Sequence, residues 1–328
     1  MVRRFITSIF PCAWGKFTLK FVKNMEEIII IGSGCAGMGA AIYAARAGMN
    51  PLVLEGSQPG GLLTTTSDVE NFPGFPEAVN GFELVWKMRE QAQKFGTRIE
   101  NTIIEKVDFS GDVKKLFSTD GKVYEAKKIV IATGSAPKMT GAKGESELYG
   151  GRGVSACATC DGAFYRDKDV VVIGGGDTAC EEAVFLTRFC SSVKIIHRRN
   201  EFRASKIMGE RVLENKKITP VWDSVVEEVL SDDKGMCRGV LVKNVKTGEV
   251  SEIPCKGVFV AIGHKPNTSA FKGAVDMDDE GYIIPRGGSI VKTNVENVYA
   301  AGDCSDKVFR QAITATSMGC MAAILASA

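Results

Sequence analysis

Two segments of the 328-residue chain repeat one hydrophobic pattern. In the first, IIIIGSGCAGMGAAIYAARAGMNPLVLEG, the apolar run Ile28–Ile31 breaks at a glycine cluster and a second apolar run, Leu52–Leu54, ends at Glu55. Short apolar runs bounded by turn residues predict buried strands. Between them, Ala40, Ala41, Ala44 and Ala45 predict a helix able to lie close on a sheet. The second segment, KDVVVIGGGDTACEEAVFLTRFCSSVKIIHRRNEFRAS, again predicts strand, turn, helix, strand. Each copy runs on into turn-rich, strand-like sequence and closes on an apolar strand with a small-residue turn, Ala132-Thr133-Gly134 and Ala261-Ile262-Gly263. The tail predicts one more strand, a turn at Ala301-Gly302-Asp303 and a final helix that returns to the first domain.

The glycines give these breaks a chemistry. Gly32-Ser33-Gly34 and Gly37 have the G-x-G-x-x-G spacing, in which the first glycine permits the sharp turn, the second admits a pyrophosphate and the third lets helix approach strand. The helix N-terminus then offers its dipole and unpaired donors to phosphate. Glu55 stands where an acid accepts from ribose hydroxyls. In the second copy, Gly174-Gly175-Gly176-Asp177-Thr178-Ala179 takes the same positions, but its second strand ends in His197, Arg198 and Arg199, with Arg203 a turn later. Arginine forks match phosphate oxygens, so the second site should prefer NADPH to NADH. The alternative for these arginines is a solvated charged face.

These observations predict an α/β fold with two Rossmann-like, three-layer dinucleotide-binding domains related by internal duplication, one inserted within the other. Crossings fall near Ser135–Gly141 and His264–Thr268. Residues 25–136 and 266–328 make the discontinuous outer domain, and 137–265 the inserted one. Two dinucleotide sites in one chain suggest a redox relay, flavin in the first and pyridine nucleotide in the second. Binding chemistry alone leaves NAD open for the first.

Composition narrows the classes. Hydrophobic residues at 45% and charged residues at 24% are ordinary globular values. No run approaches the ~18 apolar residues that argue for a membrane span. The net charge of +2 is uneven, because residues 1–24 hold Arg3, Arg4, Lys16, Lys20 and Lys23 and no acid. The remainder is slightly acidic and offers nucleic acid no basic surface. Residues 1–24 fit an organellar transit peptide, an upstream start before Met25, or a short secretory signal interrupted by Pro11. They are set apart from the fold. The ten cysteines are scattered, as expected of reduced core residues in a cytosol-like compartment.

One cysteine pair is close: Cys157-Ala-Thr-Cys160, followed by Asp161. Such a pair is half a zinc site, a redox disulfide or a coincidence. Zinc needs two further ligands with local spacing, and the two histidines, His197 and His264, stand alone, so no metal is expected. Redox chemistry suits what is present, with Asp161 as a proton donor or as a helix N-cap.

The motifs GGLLTTTSDVENFPG, GRGVSACATCDG, VVIGGGDTACEEA, IIHRRNEFRASK, AIGHKPNT and AAGDCSDKVFRQAIT resemble those of the low-molecular-weight, bacterial- and plant-type NADPH-dependent thioredoxin reductases, over about Glu26 to Ala323. The resemblance implies a homodimer, with FAD in the outer domain and NADPH in the inserted one. It also implies electron flow through a Cys157–Cys160 disulfide to thioredoxin. Cys160 would face the flavin, Cys157 would attack thioredoxin, and Asp161 would be the acid/base. Gly60, Gly61, Thr64, Thr65, Thr66, Asn71, Gly302, Asp303, Arg310, Gln311 and Ala312 match the family's FAD segments, beside Ala132, Thr133 and Gly134. The family's inserted domain rotates, and Gly134, Gly141 and Gly263 are candidate hinges. The cytoplasm is the expected compartment, with a mitochondrion or plastid the alternative for a transit peptide.

Four departures stand out. Leu62 replaces a usual Gln, Cys35 a usual Pro, and Cys304 a usual Val, and the chain stops within its last helix. The rival readings are a same-fold flavin dithiol oxidase, which would not need the arginine cluster, and a non-catalytic nucleotide- or zinc-binding regulator. Relatives with an attached disulfide domain, or glutathione-reductase types with a Cys pair in the first domain, lack support here.

Overall fold

A computed structural model describes residues 20–21, 25–65 and 68–328. Their contacts form two units. The first comprises the residues up to Thr64, Phe72–Ala136 and Pro266–Ala328; the second comprises Pro137–Lys265 with the described residues of Thr65–Asn71. That short segment falls outside the outer domain expected over 25–136: the Thr65 carbonyl lies 2.3 Å from where a side chain on Gly150 would stand.

In the first unit the central strand Glu26–Ile31 pairs in parallel with Leu52–Leu54 on one side and Lys122–Ile131 on the other. Arg98–Glu100 extends the sheet beyond Leu52–Leu54, and Val298–Ala300 joins Lys122–Ile131 in parallel. Lys122–Ile131 is long enough to serve two purposes. Its second half belongs to the parallel sheet, while its first half continues antiparallel into Lys114–Ser118 and then Ile104–Asp108. Lys20–Phe21 also pairs with its first residues.

The alternation of the central strand decides the layers. Ile28 and Ile30 face the helices Cys35–Arg46, Gly81–Lys94 and Ala312–Ser327, with Met38, Met88 and Met318 in that core. Ile29 and Ile31 face a second core with Leu116, Tyr124 and Phe271. Two helices meet at unusually short range: a methyl on Gly319 would stand 2.0 Å from the Ala36 carbonyl oxygen. Small residues along both helices therefore set the spacing of this layer.

The second unit has a five-stranded parallel sheet in the order Val154–Ser155, Gly257–Val260, Asp169–Ile173, Ser192–Ile196, Ile218–Val221. Val170, Val172, Val193 and Ile195 pack on the helices Asp177–Leu186 and Lys206–Glu214 through Ala179, Ala183, Leu186 and Val212. Val171, Ile173 and Ile196 pack on the antiparallel strands Ser224–Ser231, Cys237–Asn244 and Val250–Pro254. Helix, sheet and antiparallel sheet make three layers. The chain passes between units twice, where Ser135–Pro137 and His264–Pro266 pair. Gly134, Gly141 and Gly263 flank these passages with φ of 66°, 80° and 100°.

Candidate functional site

The first glycine turn is shaped by what cannot be added to it. Gly32 has φ 108°, and a methyl there would stand 2.3 Å from the Ala132 carbonyl oxygen; one on Gly37 would stand 1.9 Å from that of Gly32. Gly34, which caps helix Cys35–Arg46, differs: nothing lies nearer than 3.8 Å to a methyl there. Backbone N–H groups thus open onto space of the kind a pyrophosphate fills. The Gly60 N–H donates to Ser33 Oγ (2.9 Å), which ties the second glycine pair to the first turn. Gly61–Thr65, including Leu62 and Thr64, forms a 3-10 turn in which Thr64 Oγ1 donates to the Gly61 carbonyl (2.7 Å).

Glu55 is buried, and one of its carboxylate oxygens is held by the Arg89 guanidinium. Arg89 comes from helix Gly81–Lys94 and lies 5.0 Å from the Trp86 ring. Sequence reasoning missed this arginine, because nothing in a helical repeat marks which side chain will reach another strand. Thr133 Oγ1, in the Ala132-Thr133-Gly134 turn, is buried without a partner. A buried unpartnered hydroxyl is costly unless a ligand meets it, so this turn fits an FAD site.

Gly302 and Asp303 follow strand Val298–Ala300. Burial, with the nearby Asp306 charge, pushes the Asp303 carboxyl up to about 6 against the opposing pull of Arg310. Asp306 accepts the backbone N–H groups of Val308, Phe309 and Arg310, and Arg310 adopts φ 47°. Gln311 then forms a capping box with Thr314 ahead of Ala312, the first residue of the final helix. Thr65 and Asn71 are described with the second unit, and Thr66 lies outside the described residues.

The second glycine turn receives an imidazole instead. A methyl on Gly175 would stand 2.3 Å from His197 Nδ1, and the Arg203 N–H donates to the Gly175 carbonyl (2.6 Å). Gly176 caps helix Asp177–Leu186 with open space around it, and Asp177 Oδ1 accepts the Ser205 N–H (2.9 Å). Thr178 and Ala179 continue the helix, with Ala179 fully buried.

His197 Nε2 is buried without a partner. Burial, and then the charges of Arg199, Arg198 and Arg203, hold its pKa below the usual imidazole value, so it is neutral near pH 7. The three arginines are exposed, and none has a carboxylate within ion-pair distance among the described residues. A cluster of unneutralised guanidiniums beside an unpartnered nitrogen fits a phosphorylated nucleotide.

Cys157 and Cys160 are joined as a disulfide with Cα atoms 5.3 Å apart, which is one of the readings the sequence leaves open. The pair sits on a single helical turn, Ala158–Asp161, and Cys157 is its N-cap: its Sγ accepts the Cys160 N–H (3.2 Å). Asp161 does no capping, which removes that alternative for its carboxyl. The carboxyl is instead largely desolvated, which raises its pKa, and a hydrogen bond from Ser155 opposes the rise. Ser155 Oγ also accepts the Cys157 N–H (3.0 Å). Ser155 thus lies beside both the carboxyl and the sulfur-bearing turn. Burial, and then the charge of Asp161, raises the pKa of Tyr149 and Tyr165, which places both phenols near the carboxyl. Ser155 and these tyrosines were not singled out from sequence; only the proximity of Ser155 to the Cys pair was available as a signal.

Comparison with known proteins follows the same lines. The pyridine nucleotide-disulphide oxidoreductase profile matches residues 26–319. The chain belongs to that family. It is 50% identical to the thioredoxin reductase of Rickettsia felis over 92% of this chain and 97% of that protein. It is also 50% identical to the thioredoxin reductase of Streptomyces coelicolor, over 92% of this chain and 93% of that one. The crystal structure of thioredoxin reductase from Streptococcus pyogenes superposes with a TM-score of 0.87 at 41% identity, over 92% and 97% of the two chains. The chain is thus an oxidoreductase of the FAD-binding, NADPH-using thioredoxin reductase type.

Two of the chain's departures from the family pattern are structurally quiet. Cys35 is buried at the start of its helix and its thiol is pushed up to about 12, chiefly by burial. Cys304 is fully buried, hydrogen-bonds the Ile131 and Ala301 carbonyls (3.4 Å each) and is likewise pushed up to about 12. Both act as small apolar groups.

Proposed function

We propose that this chain is a thioredoxin-disulfide reductase in which the Cys157–Cys160 pair carries electrons to the disulfide of thioredoxin. The carrying observation is the Cys157–Cys160 disulfide on a single helical turn that also holds Asp161, a partly buried carboxyl of raised pKa. FAD would lie on Gly32–Gly37, Glu55, Gly60–Leu62, the Ala132–Gly134 turn and Gly302–Asp303, and NADPH on Gly174–Ala179 with His197 and the three arginines. When bound, FAD accepts a hydride from NADPH and passes the electron pair to a disulfide.

The protein's own groups set the remaining steps. In the reduced pair, the Cys160 N–H that Cys157 Sγ accepts would stabilise a thiolate at Cys157, which suits that sulfur to attack the partner disulfide. Cys160 then attacks Cys157, breaking the mixed disulfide and releasing the partner's second thiolate. Asp161 keeps its proton to higher pH than an ordinary aspartic acid, so it can protonate that leaving sulfur.

A homodimer is part of the reading, supported by the exposed Ile313, Met321 and Ile324 along the final helix. Among the described residues no helix is long and apolar enough to cross a membrane. The compartment proposed is the cytoplasm, or a mitochondrion or plastid should residues 1–24 act as a transit peptide.

The test is NADPH-dependent reduction of an aromatic disulfide reporter, with and without thioredoxin. Purified protein should be yellow, and fast turnover should require thioredoxin. Cys157→Ser and Cys160→Ser should retain the flavin colour and fall to background turnover. Activity surviving both substitutions would overturn the assignment.

A further inference from the structure

A second pair of cysteines lies in the second unit, outside the machinery described above. Cys237 opens the strand Cys237–Asn244, and Cys255 directly follows the strand Val250–Pro254. The antiparallel register pairs Gly239 with Pro254, and the Cys255 N–H donates to the Arg238 carbonyl (3.2 Å), so the two cysteines are diagonal neighbours. Both side chains are buried, at 2% and 3% exposure. The Cys237 thiol donates to the Cys255 carbonyl oxygen (3.9 Å), and the two thiols lie close enough to perturb each other's titration. The two sulfurs are not equivalent. Contact with the Cys255 thiol, with the nearby Lys256 charge, favours the Cys237 thiolate against the cost of burial, while contact with Cys237 and burial push the Cys255 thiol up.

This pair packs directly beneath the strand that leads to Cys157. Gly153 has φ 117°, and a methyl there would stand 2.2 Å from the Cys237 Cβ. The Cys237 N–H donates to the Arg152 carbonyl (2.8 Å), and the Val258 N–H to that of Gly153 (2.8 Å). Val154 and Ser155 follow at once, and Ser155 accepts the Cys157 N–H and lies beside Asp161.

We propose that Cys237 and Cys255 form a second dithiol–disulfide site, closed by small hydroperoxides, whose closure slows the first. The Cys237 thiolate attacks a peroxide oxygen, the O–O bond breaks, and a sulfenic acid forms while the departing oxygen takes a proton. The Cys255 thiol then attacks the Cys237 sulfur, the S–O bond breaks, and water leaves with the second proton. Two electrons pass from the sulfurs to the peroxide. Burial admits only small oxidants, through local opening of the sheet end. Bond formation draws the sulfurs from non-bonded separation to about 2 Å. Gly153 has no slack against Cys237, so the displacement passes along Val154 to Ser155. The rate consequence rests on the proposed reductase reading, whereas the chemistry of the pair does not.

The experiment uses FAD-loaded, reduced enzyme treated with graded hydrogen peroxide, alkylated, digested and mapped by mass spectrometry. Expected is a Cys237–Cys255 cross-linked peptide, lighter by two hydrogens and reopened by a strong dithiol. Turnover should fall severalfold in step with it and return on reopening, while Cys237→Ser and Cys255→Ser keep their turnover under the same treatment. Free alkylated Cys237 and Cys255, at peroxide doses that reoxidise Cys157–Cys160, would overturn the site. A cross-link that leaves turnover unchanged would overturn the coupling. The map of the wild-type protein decides the first point even where a serine variant fails to fold.

Discussion

The two nucleotide-binding units use one plan with opposite electrostatics and different tolerances. In the first, Glu55 is buried and half its carboxylate is occupied by Arg89, leaving a single fixed acceptor at the strand end. In the second, the equivalent strand end carries a buried neutral imidazole and three exposed guanidiniums with no carboxylate partner among the described residues. The first presents a directed hydrogen-bond acceptor and the second a diffuse positive field. A ribose hydroxyl needs direction, whereas a phosphate dianion mainly needs charge. The third glycine position differs for steric reasons. Gly37 has no room for a methyl, while the Ala179 methyl fits because Gly174 has no side chain: a methyl on Gly174 would stand 2.7 Å from it.

That comparison breaks most visibly at Gly37. Gly37→Ala places a methyl against the Gly32 carbonyl, and overpacking of this kind costs about 1–3 kcal/mol or more. The variant should purify with little flavin, read as absorbance per chain, and melt early. Ala179→Gly, the reciprocal change, should cost about 1 kcal/mol and leave flavin content unchanged. Equal effects from the two would mean that the turns are sterically equivalent after all.

Next in size is the arginine field. Charge-assisted contacts contribute about 1.5–3 kcal/mol each when fully formed, and exposure reduces that. Replacing Arg198, Arg199 and Arg203 together with alanine should raise the KM for NADPH on the order of a hundredfold. The KM for NADH should barely move. A parallel rise for both coenzymes would show that the arginines form a general surface charge rather than a site for the 2′-phosphate.

The smallest effect concerns Asp303. Its folded pKa lies near 6, above the ordinary 3.8, so the folded protein favours the neutral acid. The associated stability is full below the ordinary carboxylate pKa and is lost as pH rises through about 6. Asp303→Asn, permanently neutral, should therefore raise the Tm of flavin-free protein at pH 8 by about 2–4 °C and leave it unchanged near pH 4. Thermal melts at the two pH values decide the matter.

Much of this was legible because periodicity and glycine spacing are local signals. The strands Glu26–Ile31, Leu52–Leu54, Asp169–Ile173 and Ser192–Ile196 fall where the apolar runs place them. What escaped were contacts made by chain folding over long separations. Arg89 reaches Glu55 across 34 residues, and Cys237 meets Cys255 only because two strands pair. Asp161 illustrates the limit at short range. It stands at the N-cap position of the 3-10 turn Gly162–Tyr165, yet its side chain caps nothing, while a sulfur four residues earlier caps the preceding turn Ala158–Asp161.

The outer unit is assembled from distant parts of the chain, and its last helix packs so closely on its first that Gly319 has no room for a side chain against Ala36. During synthesis most of the inserted unit is contiguous and can close as soon as it leaves the ribosome. The outer unit must wait, its helix Cys35–Arg46 uncovered, until nearly three hundred further residues have been made. Nascent chains halted before that helix emerges should hold a closed inserted unit and an open, chaperone-dependent outer unit.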